Sequence, residues 1–264
     1  MAVIDVRTFS ECLKRQTSFK VILPNDVDGS NNPHYKRPMK TLVLLHGYCG
    51  FGEEWLWCGP VHEFACKYNL CIVFPNGENS FYLDGVATGR QYATYVGKEL
   101  PDYVRRTFGL STAREDLYVG GFSMGGFGAI HTALQFPDRF AGAIGLSSAL
   151  LTYGLADFPR EGTPVANYEY YELMFGDLKK AAENDSNPEV LVDKLQEAGE
   201  KIPDIYMACG TEDFLNEPNR KLHEFLKGKK LRHIYEEGPG VHNFEFWNPH
   251  LEAGIRWLLQ EEDS

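Results

Sequence analysis

No apolar stretch in this 264-residue sequence approaches the roughly 20 residues that a membrane-spanning helix needs. The first ten residues mix Asp5 and Arg7 with apolar side chains and lack the basic-then-apolar order of a secretion signal, so a cytoplasmic protein is expected. Positive charge is scarce as well: 26 Lys and Arg stand against 37 Asp and Glu, a formal net charge of −11. A chain of this balance lacks the clustered cations that displace counterions from nucleic acid or dock on anionic lipid; neither partner is expected. The six cysteines, Cys12, Cys49, Cys58, Cys66, Cys71 and Cys209, contain no C-x-x-C pair, which removes zinc-ribbon and thioredoxin-like readings and leaves reduced thiols as the expectation. His62-Glu63 and His223-Glu224 begin an H-E-x-x-H zinc motif, but Cys66 and Lys227 occupy the second histidine position. Gly126-Phe127-Gly128 does not extend to G-x-G-x-x-G, and no Walker-type phosphate loop occurs. No metal and no cofactor is therefore expected.

What is present is a globular composition, 43% hydrophobic and 24% charged, in a length that suits one α/β domain spanning residues 1–264. Stretches 3–9 and 18–23 alternate in part and are expected to pair as an N-terminal antiparallel hairpin. Residues 24–40 are rich in Asn, Pro and Asp and read as a surface loop. The short runs 41–46, 70–74, 116–121, 141–146, 205–209 and 231–235 are β-prone. The central ones are apolar on both faces, the mark of buried parallel strands. Helical spacing falls between them at 92–108, 124–136, 215–226 and 249–259. Strands alternating with helices predict a mostly parallel central sheet with helices on both faces. Ligands bind such sheets beyond the carboxyl ends of the strands. The aromatic-rich insertion at 150–201 is longer than a crossover requires. It reads either as a lid or cap at that end or as a peripheral subdomain whose aromatics fill their own core.

The strongest local signal is Gly121-Phe122-Ser123-Met124-Gly125, a G-x-S-x-G placed between a strand and a helix, the context that a nucleophile elbow requires. A serine hydroxyl needs a base to remove its proton, and chain order predicts an acid and then a histidine after it. Of the five histidines beyond Ser123, His131 and His223 fall on helices, His233 in a strand and His250 at the start of the last helix. His242 instead follows a strand in the turn-rich Gly238-Pro239-Gly240-Val241-His242, where the base belongs. Asp213, just after the strand 205–209, is the expected acid; Glu212 is the neighbouring alternative, and an ordinary helix cap is the bland role for Asp213. Two backbone N–H groups are needed for an oxyanion. Met124 supplies one by position, and Tyr48, in His46-Gly47-Tyr48-Cys49-Gly50 after the first parallel strand, the other. His46 is expected to hold that loop by bonding local backbone.

Beyond the elbow, the chain contains Leu44-Leu45-His46-Gly47, Asn79-Ser80-Phe81-Tyr82, Glu99-Leu100-Pro101, Cys209-Gly210-Thr211-Glu212-Asp213-Phe214-Leu215 and His242-Asn243-Phe244-Glu245-Phe246-Trp247. With these, over nearly its whole length, it resembles the esterase D-like branch of α/β-hydrolases, closest to bacterial tributyrin esterases. The resemblance implies an α/β-hydrolase fold and a cofactor-free serine carboxylesterase acting on short-chain esters, with Ser123, Asp213 and His242 as its triad. Relatives in the same superfamily imply an alternative, a feruloyl or acetyl xylan esterase acting on plant-derived oligosaccharide esters. S-formylglutathione hydrolases look less similar, because their oxyanion loop reads Ser-Gly-Leu-Thr-Cys. Dimers are common among such proteins; a homodimer is an expectation of the resemblance that no surface pattern in the sequence demonstrates.

Overall fold

A computed structural model describes residues 1–26, 29 and 32–260. The expected loop over 24–40 therefore has positions 27, 28, 30 and 31 outside the described residues. One sheet holds β1 (Ala2–Ser10), β2 (Arg15–Leu23), β3 (Lys40–Leu45), β4 (Leu70–Pro75), β5 (Leu117–Phe122), β6 (Gly142–Leu146), β7 (Asp204–Gly210) and β8 (His233–Gly238), in the order β1-β2-β4-β3-β5-β6-β7-β8. β1 and β2 form the antiparallel hairpin, β2 joins β4 antiparallel, and β3 to β8 run parallel. The carboxyl ends of β3, β5, β6, β7 and β8 thus share one edge of the sheet.

The helices are α1 (Glu54–Cys58), α2 (Val61–Lys67), α3 (Tyr92–Thr94), α4 (Leu100–Phe108), α5 (Met124–Gln135), α6 (Tyr168–Phe175), α7 (Pro188–Ala198), α8 (Asn216–Gly228) and α9 (Phe244–Leu258). They cover both faces, and the strands explain why. Along β3, Val43 and Leu45 enter one core with Phe127, Val192 and Leu222, while Leu42 and Leu44 enter the other with Trp55, Trp247 and Ile255. With alternate side chains buried on opposite sides, the strand reads as a continuous apolar run. Each such side chain contributes about 1.5–3 kcal/mol. Among the described residues, no helix is long and apolar enough to cross a membrane.

Several elements differ in extent from the sequence-based expectation, two helices for a clear local reason. The helix expected over 92–108 is interrupted by a π-turn at Tyr95–Glu99. Pro101 has no N–H to offer the Gly97 carbonyl one turn back, and the Arg139 Nε–H fills that place at 3.0 Å. The last helix begins at Phe244 rather than 249, because the Asn243 side chain caps it by accepting from Phe246 N–H at 3.2 Å. Pro249 is simply carried inside it. β8 starts two residues later than expected and runs to Gly238.

Within 150–201, the aromatics of α6 join the main core: Tyr171 and Phe175 pack against Phe81, which also meets Phe127.

Arg139→Ala should leave the buried Gly97 carbonyl unpaired and lower stability by about 1–3 kcal/mol. Asp102→Ala, which removes only the exposed ion pair with Arg139, should cost less than about 1 kcal/mol. Urea denaturation of both variants checks the difference.

Candidate active site

Ser123 sits between β5 and α5 at φ 55°, ψ −120°, a backbone conformation that costs a non-glycine residue about 1–3 kcal/mol. Backbone hydrogen bonds hold it there. Its N–H donates to Leu146 O at 2.8 Å, and its carbonyl accepts from Phe127 N–H at 3.1 Å and Ala149 N–H at 2.9 Å. The flanking glycines are explained by contact: a Cβ on Gly125 would lie 2.5 Å from Leu45 O and 2.6 Å from His46 O, and one on Gly126 2.8 Å from Leu146 O. A Cβ on Gly47 would strike the Phe122 ring at 2.5 Å. The first turn of α5 is therefore pressed directly on the chain leaving β3. Among the described residues, the Ser123 hydroxyl forms no hydrogen bond.

That same approach sets the Gly47–Tyr48 loop beside the start of α5. Tyr82 OH accepts from His46 N–H at 3.0 Å and donates to His46 O at 3.1 Å. Gly77 N–H donates to His46 Nε2 at 2.9 Å, so the ring proton lies on Nδ1, which donates to Gly47 O at 2.8 Å. Burial pushes the His46 pKa down, keeping the ring neutral. Gly50 N–H closes a turn on Gly47 O at 3.1 Å, and Cys49 N–H donates to Asn79 Oδ1 at 2.7 Å. The Tyr48 and Met124 N–H groups have no acceptor among the described residues. Met124 is the first residue of α5, where the helix leaves its amides unpaired and partially positive.

The loops after β7 and β8 are laced together. Thr211 N–H donates to Gly238 O at 2.8 Å, Glu212 N–H to Gly240 O at 3.1 Å, and Gly240 N–H to Glu212 Oε2 at 2.7 Å. Glu212, the alternative acid, is thus an exposed clasp between these loops. Asp213 is the one that meets the imidazole: His242 Nδ1 donates to Asp213 Oδ2 at 2.8 Å, and Leu215 N–H donates to Oδ1 at 2.9 Å. The Asp213 side chain is fully covered, whereas His242 stays partly open. Burial alone would raise the Asp213 pKa; hydrogen bonds from His242, Leu215 N–H and the Ser147 hydroxyl outweigh it and hold the carboxyl below its ordinary range. With its proton on Nδ1, His242 presents Nε2 as an acceptor.

Two residues without an assigned role in the sequence analysis tie this pair to the elbow. Trp247 lies buried with its ring stacked on Phe122 (4.3 Å, 17°) and edge-on to His242 (4.9 Å, 90°). Its indole N–H donates to Ser147 Oγ at 2.9 Å, and Ser147, at φ 44°, is fully buried between indole and carboxylate. Ser147 announces itself only as a small polar residue directly after β6. On the other side, Tyr48 OH donates to Val165 O at 3.3 Å and Tyr170 OH to Asn79 O at 2.6 Å, so the inserted segment rests on the Tyr48 loop. The other histidines beyond the elbow are occupied elsewhere: His131 bonds Asp185 O, His250 bonds Phe246 O, and His223 pairs with His233.

The family described as "Putative esterase" matches residues 10–258. An acetyl esterase of Caldicellulosiruptor saccharolyticus is 37% identical over 273 residues, covering all of both proteins. Among solved structures, a fluorophosphonate-binding serine hydrolase of Staphylococcus aureus superposes with a TM-score of 0.84 at 29% identity, over 99% of each chain. An S-formylglutathione hydrolase of the same organism gives 0.83 at 29%, over 98% of each. The α/β-hydrolase fold with its N-terminal hairpin is that of these neighbours.

Because the folded-state pKa of Asp213 lies below its unfolded value, its contribution to stability is complete at neutral pH and is lost as pH falls from about 4 through the folded value. Asp213→Asn should accordingly unfold at lower urea concentration than the wild type at pH 7, with the gap closing below pH ~4. Denaturation curves at several pH values test this.

Proposed function

We propose, from the fact that this chain belongs to the "Putative esterase" family of carboxylic ester hydrolases, that it cleaves short-chain acyl esters through an acyl-enzyme on Ser123. The observation that carries the reading is the 2.8 Å His242–Asp213 bond, set beside the elbow by Trp247 stacked on Phe122. His242 Nε2 takes the Ser123 proton as Oγ attacks the ester carbonyl carbon. Charge then gathers on the carbonyl oxygen, where the unpaired Tyr48 and Met124 amides receive it; a donor of this kind is worth about 10²–10³ in rate. The C–O bond to the alcohol breaks, and His242 returns its proton to that oxygen. Water repeats the sequence on the acyl-serine and restores the hydroxyl. Asp213 keeps the proton on Nδ1 and stabilises the imidazolium formed in each half-reaction.

Two observations support small acyl groups. A full-length relative at 37% identity is named for acetyl esters, and the Tyr48 loop is walled by Tyr170 and Phe81. Deacetylation of xylan-derived oligosaccharides shares that acyl group and differs in the alcohol. A cytoplasmic site of action is supported by six cysteines that all remain free thiols.

Ser123→Ala should lose at least about 10³-fold in kcat/KM toward p-nitrophenyl acetate and butyrate, with an unchanged circular dichroism spectrum. Intact mass should show a fluorophosphonate adduct on the wild type and none on the variant. Retained hydrolysis would reject the assignment. Turnover should also fall from acetate and butyrate toward octanoate, and a panel containing acetylated xylan oligomers and methyl ferulate ranks the alcohol and acyl alternatives.

A further inference from the structure

At the ends of β5 and β6 remote from Ser123, four arginines line one cavity of about 430 Å³. Arg105 and Arg106 come from α4, Arg114 from the turn before β5, and Arg139 from the turn before β6; Asp102 and Asp138 share the wall. Carboxylates are plentiful in a chain of net charge −11, yet three of the four guanidiniums have none. Among the described residues, Arg105, Arg106 and Arg114 form no ion pair, while Arg139 binds Asp102. Asp116, behind the cavity, is taken by Lys40 at 3.2 Å and by the Ser111 hydroxyl at 2.6 Å. Asp138 is exposed and pairs with no cation among the described residues. Arg105 is only 7% exposed. Its Nη1 and Nη2 donate to Thr112 O at 3.4 Å and Ala113 O at 2.8 Å, neutral acceptors that orient the guanidinium and leave its charge uncompensated. Arg114 is fixed in the same manner, its Nε donating to Pro137 O at 2.7 Å. Arg105 Nε and Arg114 Nη2 are buried without an acceptor among the described residues, a costly state for donors on a charged group. Burial, and then the like charge of Arg139, push the Arg105 pKa down. A guanidinium nevertheless stays protonated in a protein, so this crowding cannot be titrated away.

We propose that this arginine-lined cavity is a binding site for a phosphate dianion, either the free ion or the phosphate group of a small metabolite. Charge selects the ligand class. With Asp102 neutralised by Arg139, three guanidiniums face the single carboxylate of Asp138, a surplus of two positive charges. A dianion cancels that surplus, whereas a monocarboxylate leaves half of it. Geometry agrees, because a guanidinium presents paired N–H donors that match the spacing of phosphate oxygens. The carbonyl bonds already hold Arg105 and Arg114 in place, so ordering them costs the complex little. Arg106, exposed and without a partner among the described residues, is the cation free to grip the ligand. The cavity is in the size range of small-molecule sites, which leaves room for an organic group on the phosphate. The arginines come from three separate segments, and no run of cations in the sequence marks the site. It also lies at the opposite end of the sheet from the elbow, so its occupancy does not depend on the Ser123 chemistry.

Isothermal titration calorimetry of the full chain with sodium phosphate, against sodium chloride at matched ionic strength, tests the proposal. Phosphate should bind saturably and one to one, and it should raise Tm where chloride does not. Arg106→Glu, which breaks no contact among the described residues, should weaken binding at least about tenfold. Arg106→Lys, which keeps the charge and loses the fork, should fall between that variant and the wild type. Ser123→Ala should bind phosphate as the wild type does. Circular dichroism reports that each variant is folded. Glucose 6-phosphate and AMP, titrated alongside, distinguish the sources: tighter binding of either assigns the site to a phosphorylated metabolite, and tighter binding of inorganic phosphate to the free ion. Absence of saturable binding by all three at up to about 10 mM would overturn the proposal. So would a folded Arg106→Glu chain that binds as the wild type does, acetate binding as tightly as phosphate, or loss of phosphate binding in Ser123→Ala.

Discussion

The site depends on a close approach between backbones: the first turn of α5 lies on the chain that leaves β3, with carbonyl oxygens where a Cβ of Gly125 would have to be. No side chain fits between them. That contact forces the turn at Ser123 into its left-handed conformation, and three backbone hydrogen bonds, to α5 and to the end of β6 and the residues after it, keep it there. The strain is local and the restraint is distributed, which is how a residue in a sparsely populated conformation persists in a folded protein. From the same contact come the partly open position of Ser123, the free amide of Met124 and the nearness of the Tyr48 loop.

A second constraint acts on the imidazole. The pair His242–Asp213 sits on loops after β8 and β7, with β6 between them and the elbow strand. Trp247 spans that distance with one rigid ring system, touching Phe122 on one side and His242 on the other. Its indole N–H fixes Ser147, and the Ser147 hydroxyl in turn meets the buried carboxylate. A covered carboxylate would ordinarily tend to stay protonated; three hydrogen-bond donors reverse that preference and leave it ionised. The early start of α9 matters here, because the Asn243 cap places Trp247 on the first turn, directly beneath the His242 loop.

Much of this was legible in the residues. The parallel strands announce themselves because each is buried on both faces, and the hairpin because its two strands alternate. The elbow is legible because glycine is demanded at fixed offsets by backbone contact, and Asp213 and His242 because each follows a strand in a glycine-rich turn. His46 was legible as a loop-holding residue, although its tautomer depends on Gly77 and its backbone on Tyr82. The π-turn was not: Pro101 is visible in the sequence, but the partner that rescues the Gly97 carbonyl is Arg139, on a distant loop. Pro249 drew the expected start of the last helix five residues too late, since proline usually marks a helix beginning and here lies inside one.

What depends on neighbouring residues could be read from the chain alone: strand and helix identity, the strand–turn–helix at Ser123, the loop glycines, and the chain order Ser123, Asp213, His242. Those properties follow from backbone sterics and from periodic burial, which act over a few positions. The three-dimensional structure alone decided what depends on residues far apart in the chain. Trp247 and Ser147, a hundred positions apart, meet only because α9 folds back across the sheet. Asp213 rather than Glu212 reaches the imidazole because the β7 and β8 loops are clasped in one particular way.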